Sequence, residues 1–159
     1  MGKVRPKVDS TLIGPAGEHL VLSRLLAQGF LASPAPRGTR QVDIVVNLIE
    51  GGNPKLIQVK TTMGSPKKGW ILQAKHENQA SEDLFFCFVS FDSIQGEVYV
   101  IPSAVVAGHI KEGHEKWLSK PGKQGQKHND SAMRNLSSLE NSYGPSWLST
   151  YFENWDLLR

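Results

Sequence analysis

A chain of 159 residues, 39% hydrophobic and 21% charged, has the makeup of one soluble globular domain, which sets aside general disorder, fibrous repeats and two independent cores. Its net charge of +3 permits attraction to a polyanion without requiring it. Cys87 is the single cysteine, so neither an internal disulfide nor a thiolate zinc cluster can form, and with no secretory stretch in residues 1–10 and no apolar run of membrane-spanning length a cytoplasmic protein is expected.

In chain order, residues 1–13 read as a basic N-terminal arm and 14–159 as a single domain. Gly14-Pro15 opens a helix over 16–28 that Gly29 ends, with Val21, Leu22, Leu25 and Leu26 on its inner face. Glu18 falls three and four residues before Val21 and Leu22, so it continues that apolar stripe, and a carboxylate there needs a reason. After a short extended piece at 30–32, residues 41–49 alternate as a strand, Gly51-Gly52-Asn53-Pro54 marks a turn, and 56–61 resume the extended pattern, which together predict an antiparallel hairpin. A polar or helical connection follows. The apolar run 84–91 suits a central strand covered on both faces, and 97–101 its neighbour across Gln95-Gly96. Residues 102–110 read as a short helix and 119–130 as a flexible loop. Trp147, Tyr151 and Trp155, beside Leu148 and Phe152, predict an amphipathic C-terminal helix docked on the body.

The hairpin matters because of what it carries. Gln58 and Lys60 are two apart on one strand, so they share a face while Val59 points away. A turn near Gly52 brings Asp43 opposite them, and pairing it with Gln58 or Lys60 would put all three side chains on one face, to which the helix could add Glu18. Cutting a phosphodiester needs a cation, oxygen ligands to hold it and a group that orients the attacking water. Asp43 would be the main ligand, Gln58 would offer its amide oxygen, Glu18 would bind directly or through water, and Lys60 would position the water and stabilise the pentacoordinate charge. Mg²⁺ fits such a set, with Mn²⁺ an alternative.

These residues resemble the PD-(D/E)XK nuclease superfamily, whose αβββαβ core carries an Asp on one strand and (D/E)-x-K on the next. Asp43 and Gln58-Val59-Lys60 match that pattern, and Gly17-Glu18 looks like the additional acidic residue of the preceding helix. The resemblance covers residues 14–101, with 102–159 as a helical extension. Two departures stand out: no Pro precedes Asp43, and Gln58 makes the third motif Q-x-K, replacing a carboxylate by a weaker neutral ligand and throwing weight onto Glu18.

The resemblance implies an α/β restriction-endonuclease-like domain, with a mixed sheet of about five strands, acting as a Mg²⁺-dependent endonuclease on nucleic acid, DNA first. A homodimer or higher homo-oligomer would let it cut two strands. Lys67, Lys68, Lys120, Lys123 and Lys127, with the arm residues Lys3, Arg5 and Lys7, could grip phosphates. Rival readings are a nuclease-fold DNA-binding or assembly module without cleavage, and a protein-interaction domain. Bland roles also exist: Asp43 suits a strand-end carboxylate facing solvent, Gln58 and Lys60 the polar face of a half-exposed strand, and Glu18 a helix start. The five histidines show no helical zinc pairing and are expected at the surface, and Trp70, Trp147 and Trp155 are expected as core anchors.

Overall fold

The computed structural model of the chain describes residues 7–138, 144 and 146–159. Helix α1 (Ser10–Ala27) starts ahead of the expected opening at Pro15, which lies inside it. Asp9 explains the early start: its carboxylate caps the helix, accepting from the Thr11 N–H at 2.9 Å and the Thr11 hydroxyl at 2.7 Å. The inner stripe is narrower than expected. Gly17, Val21 and Leu25 are buried, Leu22 is half-buried, and Leu26 faces solvent.

A five-stranded sheet follows, in the order β1 (Leu31–Pro34), β2 (Ile44–Asn47), β3 (Lys55–Thr62), β5 (Leu84–Ser90), β6 (Glu97–Pro102). The β1–β2, β2–β3 and β5–β6 pairs are antiparallel and β3–β5 is parallel, so the sheet is mixed, as expected. Gly51 and Gly52 adopt φ of 88° and 115° in the β2–β3 turn, conformations that favour glycine.

Strand alternation builds two cores. On one face Ile57, Val59, Phe85, Cys87 and Val89 pack under Val21 and Leu25 of α1. On the other, Phe86, Phe88, Tyr99 and Ile101 meet Val106 and Ile110 of helix α2 (Ser103–Ser119), which is longer than the helix expected at 102–110. A small two-stranded sheet of β4 (Trp70–Gln73) and β7 (Met133–Leu136) also covers that face through Trp70, Leu72 and Leu136. The connection expected to be polar or helical therefore holds a strand, followed by a short 3-10 helix (Ala74–Asn78).

The C-terminal helix is corrected too. Two 3-10 helices, Trp147–Tyr151 and Trp155–Leu158, replace it. The break falls where Phe152 bridges Tyr99 of β6 and the Glu153 N–H donates to the Val98 carbonyl at 2.8 Å, with Glu153 at φ 48°. Sheet-edge pairing overrides the helical spacing of the aromatics. Trp70, Trp147 and Trp155 are buried, as expected, whereas His76 and His109, expected at the surface, are buried as well. Among the described residues, no helix is long and apolar enough to cross a membrane.

Candidate active site

Gly17 decides how closely α1 approaches the sheet. A Cβ there would overlap the Thr61 hydroxyl and come within 3.0 Å of Thr61 Cβ and Cγ2, so the helix backbone rests directly on β3. That contact brings the next residue, Glu18, to the end of β3 that carries Lys60. Glu18 is half-buried and its carboxyl is raised above the ordinary glutamate range, first by burial and then by the negative charge of Asp43.

Asp43 sits where β2 leaves its ladder. The regular register faces Ile44 to Ile57, yet the Asp43 N–H also donates to the Ile57 carbonyl at 2.8 Å, so two successive residues of one strand oppose one of the other, as in a β-bulge. Neither of the pairings expected from sequence, with Gln58 or with Lys60, forms. The carboxylate instead accepts from the Val59 N–H at 2.7 Å, replacing the backbone partner that the departing strand no longer supplies. From there its charge reaches Lys60 as well as Glu18. Burial lowers the Lys60 ammonium below the usual lysine range, Asp43 opposes that shift, and Lys75 adds to it.

Gln58 is 7% exposed, and its Oε1 is a buried acceptor without a hydrogen-bond partner among the described residues. An orphaned buried acceptor costs about 1–3 kcal/mol, so it calls for a function or a ligand. Beside it stands a residue that sequence reasoning missed. Gln58 is in register with Phe86, and the His76 ring meets Phe86 edge-on at 5.8 Å. His76 Nδ1 lies 3.0 Å from both the N and the O of Gln73, while Nε2 is buried with no partner among the described residues. Burial foremost lowers the imidazole below its usual range, the Gln73 backbone opposes that shift, and Lys60 and Lys75 add to it. Lys75 and His76 had no sequence signal, because they follow a strand whose partner lies far along the chain.

The structure thus places Asp43 where its charge acts on Glu18 and on Lys60, with Gln58 two residues from Lys60 on β3. It does not bring the other candidate cations into that cluster. Lys67 and Lys68 are exposed in the turn between β3 and β4, and Lys120, Lys123 and Lys127 are exposed at and beyond the end of α2, in a stretch, 120–132, without helix or strand. Lys3 and Arg5 lie outside the described residues. Among the described residues, no three His, Cys, Asp or Glu side chains gather to hold a metal ion.

No family model matches the sequence, and no curated protein matches it detectably. A solved structure does match in fold: a bacterial homing endonuclease, I-Ssp6803I, superposes with a TM-score of 0.54 over 95% of this chain and 91% of that one, at 16% identity. At that identity the likeness is one of fold alone.

Proposed function

We propose that this protein is a metal-dependent endonuclease of the PD-(D/E)XK kind, in its Q-x-K form, hydrolysing phosphodiester bonds in DNA. The observation that carries the reading is the position of Asp43, whose charge acts on both the α1 carboxylate, Glu18, and the β3 lysine, Lys60. A bulge that re-aims a carboxylate at the mouth of a hairpin is a common companion of active sites. The shared fold with a homing endonuclease supports the same reading.

The donor set fits Mg²⁺ or Mn²⁺. Asp43 and Glu18 offer carboxylate oxygens and Gln58 an orphaned amide oxygen, all hard ligands, too few to enclose an ion that keeps several waters and takes phosphate oxygens besides. When bound, the ion would neutralise charge on the phosphoryl oxygens and acidify a bound water. The chain's own part is distinct. Val59 N–H fixes the Asp43 carboxylate, Lys60 offers its ammonium to the phosphate and the attacking water, and the aromatic wall of Phe86 and Phe88 excludes water from behind.

The neutral Gln58 favours one rival, a DNA-binding module of the same fold that does not cut. Incubation of linear, branched and supercoiled DNA with Mg²⁺ or Mn²⁺ separates the two. Cutting that EDTA abolishes is the expected result. Salt-sensitive binding without cutting supports the module, and neither binding nor cutting leaves a protein-interaction domain.

A further inference from the structure

The β4–β7 ribbon has two unlike faces. Trp70, Leu72, Arg134 and Leu136 turn inward and are buried. Ile71, Gln73, Met133 and Asn135 turn outward, in the facing pairs Ile71↔Asn135 and Gln73↔Met133, and all are exposed. Ile71 is 60% exposed and Met133 59%, a poor arrangement for side chains that water repels.

This outer face carries no charge, but its surroundings do. Lys67 and Lys68 precede β4, Lys75 follows it, and Lys120 lines the cleft of about 500 Å³ that the ribbon forms with the end of α2. Three of the acids nearby are engaged: Glu77 pairs with Arg134, Asp130 with His114, and Glu112 with Lys116. An uncharged floor between cationic flanks is what duplex DNA asks of a protein, since base edges are uncharged and phosphates line the groove. The major groove, about 12 Å wide, admits a two-stranded ribbon. An amide such as Asn135 suits an adenine edge, and apolar side chains such as Ile71 and Met133 suit thymine methyls, while the Gln73 side chain caps the 3-10 helix that follows β4.

Other occupants fit less well. A second copy related by a two-fold axis would set these lysines against their own counterparts. Stacking of single-stranded bases needs an open aromatic face, and the neighbouring Trp117 ring already has His128 at 4.0 Å and His114 at 5.6 Å stacked on it. The ribbon also adjoins the catalytic cluster, because Gln73 contacts His76, and Lys75 acts on Lys60.

We propose that the β4–β7 ribbon enters the major groove and reads about four base pairs, rich in A·T, beside the phosphate to be cut; its ligand, DNA, rests on the nuclease reading above. Four-residue strands span about 13 Å, which sets that length of sequence.

Selection of bound duplexes from a random-sequence pool, in EDTA, tests this with the wild type and a Met133→Thr/Asn135→Ser variant, thermal melts confirming that both fold. The wild type should enrich such a motif. The variant should bind the unselected pool within about two-fold of the wild type yet lose about ten-fold in preference for the motif. A variant that enriches the same motif, a wild type that binds and cuts without sequence preference, or a variant whose change is lost self-association in sedimentation overturns the ribbon's role. Sequence-blind cutting does so while leaving the nuclease reading intact, and absence of all binding and cutting defeats both.

Discussion

The two faces of the central sheet are made by the same strands and differ in what they bury. The α1 face is largely apolar from Val21 to Leu158 and closed by the tight seat of Gly17 on Thr61, whose hydroxyl is a buried polar atom without a hydrogen-bond partner among the described residues. The α2 face takes the buried polar residues of the described chain, among them Gln58, His76, His109 and Arg134, and the orphaned atoms of Gln58 and His76 belong to it. One face holds the fold together. The other carries buried polar groups that cost stability, the pattern expected there if the proposed site is real.

The sharpest way to break this comparison is Lys60→Ala. On the α2 face it should lower single-turnover cleavage by about a hundred-fold or more while the melting temperature holds or rises, since a partly buried cation is removed. Unchanged cleavage would remove Lys60 from the mechanism. Next comes pH. Burial pushes His109 down to about 4 from 6.5, with Glu112 opposing, so the imidazole is neutral in the fold and the unfolded chain takes up the proton first. The resulting stability is fully present above pH 6.5 and is lost as pH falls from there through about 4, a change of up to about 3 kcal/mol. His76 acts in the same direction. Melting curves of His109→Phe should show a shallower acid decline, and an unaltered decline would mean that His109 is not its source.

On the α1 face, Gly17→Ala should cost about 2 kcal/mol in denaturant unfolding by forcing α1 off β3. Thr61→Ala should restore part of that loss, a coupling that a double-mutant cycle reads directly. Independent, additive effects would show that the two do not touch. The smallest expected effect has the opposite sign. Gln58→Leu should stabilise the fold by about 1 kcal/mol, by removing an orphaned acceptor, while depressing cleavage. A destabilised variant would indicate that the Gln58 amide is already satisfied in solution.

Much of the α1 face could be read from the sequence, because local signals define it: the period of α1, the alternation on either side of Gly51-Gly52 and the apolar run of β5. The α2 face was harder to read for physical reasons. The four-residue strands β4 and β7 are too short to show a period, and each becomes a strand only by pairing with the other across the intervening β5, β6 and α2. Nothing in the sequence marks Arg134 as buried, because its ion pair with Glu77, far back along the chain, is invisible there. Glu18, Asp43, Gln58 and Lys60 were singled out as a set. The way Asp43 reaches the others was not, since a bulge is a matter of one hydrogen bond out of step. The C-terminal aromatics kept helical spacing but were recruited to the sheet edge, a tertiary demand that local propensity cannot announce.

That recruitment has a consequence for how the molecule meets its own kind. A strand with a bare margin is an invitation to further strands, and a mixed sheet has two such margins. Here the β1 margin is only four residues long and finishes in Pro34, which has no N–H to offer a newcomer. The β6 margin is stopped by Phe152 and Glu153, which occupy the carbonyl of Val98 and the flank of Tyr99 like a wedge under a door. Both margins are therefore blunted against sheet extension, the second by Phe152 and Glu153, which lie between the core aromatics Trp147 and Trp155.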